Sequence, residues 1–238
     1  MMTAALTLWW GGPELADRYR ADMLHAADRA RAGHARSPRA EQDWRVSRAL
    51  LQQVRSDWPA DASPALSLSH SRGYAVVGTA PSGWHLGVDL EAIRPRDTDG
   101  VAQWCCTEEE RAALAACGSA AARLRAFYQL WTLKESFIKA ANLDFPADMR
   151  SIGLAPGQSS SGLPCASSPW QGWRLRAPAP GWHAWSAVVD DAWSVSAVWL
   201  PARGADHRRD RADGAVIPVW RAARGAASPR IVPAGQWP

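Results

Sequence analysis

The chain has 238 residues, 47% of them hydrophobic and 21% charged, with a formal net charge of +4 from 27 Lys and Arg against 23 Asp and Glu. That balance excludes an intrinsically disordered chain, which pairs low hydrophobicity with high net charge. No stretch reaches the about 18 apolar residues that a membrane-spanning helix needs, and no period marks a solenoid, coiled coil or collagen.

In chain order, residues 1–10 are apolar but lack the basic region and cleavage site of a signal peptide. An Ala- and Arg-rich helix is expected over 14–35, ended by Pro38, and a second over 41–54. Two prolines and two aspartates make 57–64 a loop, and three short strands follow at 65–69, 74–78 and 84–91. A polar connection over 93–100 is the expected domain boundary. Thr107 before three glutamates reads as an N-cap, and a long helix is expected from Ser119 to Asn142. A Gly/Ser/Pro-rich linker (155–169) precedes strands at 173–176, 182–189 and 193–200. The expected domains are thus 1–95 and 96–200, each α+β, with 201–238 a basic tail disordered in part.

That tail holds seven Arg and three Asp, so the whole net charge of +4 sits there and residues 1–200 are neutral. A broad nucleic-acid-binding face is therefore not expected. Only two of the 27 basic residues are lysines, Lys134 and Lys139. The four cysteines form no CxxC pair, which favours reduced thiols and a cytoplasmic protein over a disulfide or zinc framework. The 15 tryptophans are scattered and suit ordinary core packing.

Three places could carry chemistry. Along strand 84–91, side chains alternate faces, so Trp84, Leu86, Val88 and Leu90 form an apolar face. His85, Gly87, Asp89 and Glu91 form the other, where two neighbouring carboxylates call for a cation or proton and Gly87 would admit a ligand. The bland alternative is an edge strand with a solvated face. On the long helix, at about 100° per residue, Leu130, Phe137, Phe127 and Ile138 share the core side, and Tyr128, Glu135 and Lys139 a separate stripe. Glu135 and Lys139 could be a plain surface pair, but Lys134 falls on the apolar side and must snorkel or meet an anion. Third, Ser67–Ser71 ends a strand in hydroxyls and an imidazole. The run from Arg29 to Arg55 has seven Arg against two acids, which suits a solvated helix face, a polyphosphate or an acidic partner.

GVDLE (87–91) with WTLKESFIK (131–139) resembles the paired signatures of the Sfp-type 4′-phosphopantetheinyl transferases. SLSHS (67–71), SRALL (47–51) and TEEERAAL (107–114) resemble further segments of that family, in its order. The resemblance implies an α+β fold built as a pseudo-twofold pair of similar subdomains with the active site in the cleft between them. It implies Mg²⁺-dependent transfer of the 4′-phosphopantetheine arm of coenzyme A to a serine of an apo acyl or peptidyl carrier protein, releasing adenosine 3′,5′-bisphosphate, by a monomer. By the same resemblance Asp89, Glu91 and Glu135 match the metal ligands, and Lys139 and Lys134 the phosphate-contacting lysines. Arg48, Ser69 and His70 match coenzyme A-binding positions, and Glu110 an additional active-site glutamate. The base for the serine hydroxyl stays open between Glu135, Glu110 and a metal-bound water. Departures are the loop 58–64, which has no lysine, and Cys105–Cys106, which replace an aromatic doublet. A catalytically silent coenzyme A-binding partner protein and a basic nucleic-acid binder are the alternatives.

Overall fold

The structure is a computed structural model and describes residues 6–59, 62–143, 148–157, 168–202 and 216–238. The fold is α+β. In chain order it runs β1 (Thr7–Gly11), α1 (Ala26–Ala32), α2 (Pro38–Ser56), β2 (Ala65–Ser71), β3 (Tyr74–Ala80), β4 (His85–Ala92), α3 (Thr98–Cys105), α4 (Glu108–Ala115) and α5 (Ala120–Ala141). It continues with β5 (Gly153–Pro156), β6 (Trp173–Arg176), β7 (His183–Val189), β8 (Trp193–Leu200), β9 (Val219–Ala222) and β10 (Ile231–Trp237).

The strands form two four-stranded sheets, ordered β2-β3-β1-β9 and β10-β7-β8-β4, with β5 and β6 as a separate pair. Period-two alternation sorts each sheet's side chains into two layers. In β3, Val76 faces the other sheet while Ala75 and Val77 pack with Val46, Leu50 and Val54 of α2. In β4, β7 and β8, Leu86, Val88, Leu90, Trp185, Ala187, Val195 and Trp199 face the first sheet. Ala184 and Val198, on the opposite face, pack with Phe127, Leu130 and Phe137 of α5. The order of layers is α2, first sheet, second sheet, α5.

The helix expected over 14–35 is broken. Two short 3-10 turns, Pro13–Arg18 and Ala21–Met23, precede α1, which buries none of its residues. Alanine and arginine favour a helix, but the segment lacks an apolar stripe to hold a long one against the core. The apolar start contains β1, and the polar connection contains α3, whose N-cap Asp97 accepts from the Asp99 and Gly100 N–H groups. α5 matches its expected limits, with Ser119 capping Ala122 N and Asn142 closing it in the left-handed region at φ 50°.

β4, from the N-terminal part of the chain, pairs along its full length with β8. The segment after Leu200 supplies β9, parallel to β1, and β10, antiparallel to β7. Residues 203–215 of that tail, and 158–167 of the expected linker with Cys165, lie outside the described residues. Among the described residues no helix is long and apolar enough to cross a membrane.

Candidate active site

β2 and β4 lie at neighbouring edges of the two sheets, and an edge strand leaves backbone groups to be satisfied. Serines at every second position of β2 do this. Val88 N donates to Ser67 Oγ at 3.0 Å and Ala92 N to Ser71 Oγ at 3.3 Å. The same face of β2 reaches the carboxylates of β4: Ser69 Oγ donates to Asp89 Oδ1 at 2.8 Å, and Ser71 Oγ to Glu91 Oε2 at 3.2 Å.

Over the other side of β4 lies α5. A Cβ on Gly87 would stand 1.9 Å from the Ser136 carbonyl oxygen and 2.6 Å from Ala140 N. The space beside Gly87 therefore belongs to the helix backbone, which corrects the expectation that it admits a ligand. Two side-chain contacts fix the helix there: Ser136 Oγ donates to Ser196 O at 2.9 Å, and Thr132 Oγ1 pairs with Ser196 Oγ at 2.8 Å. The expectation of a solvated strand face also gives way, since Gly87 and Asp89 are buried beneath α5.

This close approach carries the Glu135–Lys139 stripe to the β4 carboxylates. Lys139 Nζ donates to Asp89 Oδ1 at 2.7 Å and to Val88 O at 3.1 Å, so its ion-pair partner is Asp89 rather than Glu135. The second oxygen of Asp89, Oδ2, is buried and has no hydrogen-bond partner. Burial pushes the Glu91 carboxyl above the usual carboxylate range, and the charge of Asp89 adds to it; Ser71 and Lys139 pull the other way. Burial also pushes Glu135 up, with the charges of Asp89 and Glu91 reinforcing it against Lys139. Asp89, Glu91 and Glu135 thus form one electrostatic cluster of three carboxylates facing one ammonium. Among the described residues no three His, Cys, Asp or Glu side chains stand close enough together to hold a metal ion as they are.

Lys134 and Glu110 come to each other instead. Both are fully buried, with Lys134 Nζ 3.0 Å from Glu110 Oε2. Nζ also donates to the carbonyls of Met149 and Ile152, at 2.7 Å each, so its three donors are all engaged. Burial lowers the Lys134 pKa and Glu110 pushes back. Glu110 closes a capping box with Thr107, and its Oε1 accepts from Leu154 N at 3.0 Å and Arg176 Nη2 at 2.8 Å. The anion that Lys134 needs is this internal glutamate.

Arg48 is buried in α2 beside Trp44, with Asp28 as counter-ion. His70 points away from Ser69 and reaches the surface of β2, where the charges of Asp43, Arg48, Lys139 and Asp89 act on it. Partial desolvation of the ring is the main cause lowering its pKa, with Arg48 and Lys139 adding to it and Asp43 and Asp89 opposing it. His70 thus feels charges from both the arginine site and the carboxylate cluster. Sequence reasoning singled out the Ser67–Ser71 segment but missed that Ser71 holds Glu91. The signal was present as serine at positions 67, 69 and 71, one face of a strand. Asp28 and Arg176 carried no signal, because their partners are remote in sequence.

The carboxylates, the lysine paired with Asp89 and the helix-on-strand contact all lie in the stretch of chain from β4 to β8. Residues 85–194 match the family model of the 4′-phosphopantetheinyl transferase superfamily. The match contains Asp89, Glu91, Glu110, Lys134, Glu135 and Lys139, and leaves Arg48, Ser69 and His70 outside it. No curated protein matches the chain. This match, over a little under half of the chain, suggests phosphopantetheine transfer as the class of reaction; proteins of that superfamily use coenzyme A and act on carrier proteins.

Proposed function

We propose that the protein is an Sfp-type enzyme that transfers the 4′-phosphopantetheine arm of coenzyme A to a serine hydroxyl of an apo carrier protein, with Mg²⁺, releasing adenosine 3′,5′-bisphosphate. The observation that carries the reading is the cluster of Asp89, Glu91 and Glu135. Burial and the charge of Asp89 push both Glu91 and Glu135 up, Lys139 offsets part of this, and the buried Oδ2 of Asp89 is left without a partner. Oxygen-only donors with uncompensated negative charge suit a hard divalent cation that keeps water and substrate phosphate in its shell. Asp89, Glu91 and Glu135 would hold it, and when bound it would neutralise charge on the pyrophosphate of coenzyme A.

The chain's own groups divide the remaining work. Ser69 and Ser71 orient Asp89 and Glu91 from the β2 side. Lys139, part exposed, carries a positive charge at the edge of the cluster where a diphosphate oxygen would come. Arg48 and His70 lie to one side, as contacts for the remaining phosphate of coenzyme A. Glu135, partly buried and raised in pKa, is suited to take the proton of the carrier serine hydroxyl. Lys134 and Glu110, locked together beneath the surface, serve by fixing α5 to α4 and β5 rather than by touching substrate.

Incubation of the protein with coenzyme A, Mg²⁺ and a panel of apo acyl and peptidyl carriers tests this. The expected result is a mass gain of one phosphopantetheine on at least one carrier, lost on chelation. Coenzyme A binding with no mass gain on any carrier would instead favour a silent partner protein.

A further inference from the structure

Arg48 lies in the middle of α2 at 6% exposure, so its guanidinium has been taken out of water. A desolvated guanidinium needs acceptors for its five N–H groups. Nη1 donates to Ser47 Oγ at 3.1 Å and Nη2 to Asp28 Oδ1 at 2.8 Å, while Nε is buried and donates to nothing. The Trp44 ring covers the guanidinium at 4.1 Å.

The counter-ion comes from an unusual place. α1 has seven residues, none buried, and adds nothing to the three apolar clusters of the molecule. Polar ties hold it to α2: Asp28 to Arg48, and Arg36, which donates to the Ala32 carbonyl at 3.3 Å and stacks on Trp44 at 4.0 Å. A buried cation with an unmet donor thus faces a carboxylate carried by a weakly anchored helix.

We infer that Asp28 is an internal competitor, which occupies Arg48 in the free protein and gives way when a phosphate of the ligand binds there. The inference rests on the function proposed above, because it takes Arg48 as a phosphate contact. A phosphate monoester carries more charge than a carboxylate and has three terminal oxygens, enough to meet Nε as well as Nη2. The apparent affinity is then lowered by the fraction of free protein in which Asp28 holds the site. Ligand binding releases the Asp28–Arg48 tie between α1 and α2 and leaves that of Arg36.

Titration calorimetry of the full chain with adenosine 3′,5′-bisphosphate tests this. Asp28→Asn is expected to tighten binding about three- to tenfold, Asp28→Glu to stay near wild type, and Arg48→Ala to weaken it. In the wild-type protein, which needs no variant to fold, amide exchange over residues 26–32 is expected to be faster in the complex than in the free state. Unchanged or weaker binding by Asp28→Asn, tightening by Asp28→Glu to the same degree, or slower exchange over 26–32 overturns the inference. If Arg48→Ala still weakens binding in that case, the transferase reading stands. A wild-type protein that binds neither adenosine 3′,5′-bisphosphate nor coenzyme A overturns both.

Discussion

Asp89 accepts from an ammonium and a hydroxyl on one oxygen and leaves the other bare in a buried place. Such an atom costs free energy unless something else completes it. Asp89→Asn keeps the acceptor for Ser69 but removes the charge. It is expected to reduce carrier modification to background while shifting the melting temperature little, because Lys139 remains part exposed and can turn to water. Mass spectrometry of the carrier and a thermal melt check the two halves of that statement. The raised carboxyls of Glu91 and Glu135 set a pH dependence of their own. Through the interval between the ordinary carboxylate pKa and the raised one, the folded protein binds more protons than the unfolded chain, so stability falls as pH rises through it. Glu135→Gln removes its share of that loss. The variant should melt higher than wild type at neutral pH, and the gap should close by about pH 3, where the side chain is protonated in both the folded and the unfolded state. An equal gap at both pH values would contradict this account of Glu135.

The pairing of α5 with β4 depends on a missing side chain. In Gly87→Ala the new methyl group meets backbone atoms, which cannot rotate aside, so the helix must lift. Overpacking of this kind is expected to cost about 2–3 kcal/mol, read by denaturant unfolding. The Lys134–Glu110 pair gives a second test at this scale. Glu110→Ala leaves a fully buried ammonium without its counter-ion, for an expected loss of about 3–5 kcal/mol. Much of α5 was legible in the sequence, because Ser119 and Asn142 mark its ends and Leu130, Phe137 and Ile138 its core side. Lys134 on that apolar side had to snorkel or meet an anion; that it meets Glu110 could not be read, since Glu110 lies on another helix. The segment 14–35 misled because propensity decides little where no face is buried.

Across the whole molecule, the chain's last strands tie the layers together. β9 extends the first sheet and β10 the second, with Trp220 beside Trp10 and Trp185 and Trp237 in the α5 core. Arg224 pairs with Asp57, and Arg230 with Asp191, so these two tail arginines have partners within the fold. Ending the chain after Ala202 is expected to lower the melting temperature sharply and expose tryptophan to solvent, seen as a red-shifted emission. These strands were hidden in the sequence: β9 is four residues long, β10 contains Pro233 and Gly235, and each pairs with a partner remote along the chain. The middle of the fold was readable because 65–71, 74–80 and 85–92 alternate cleanly between apolar clusters and opposite faces.

Where β2 meets β4, two main-chain N–H groups end on hydroxyl oxygens rather than on another strand's carbonyls. The amide protons of Val88 and Ala92 are therefore natural reporters of whether the seam is closed. A breathing motion that separates the sheets would expose those two protons to deuterium while the neighbouring β4–β8 ladder stayed protected.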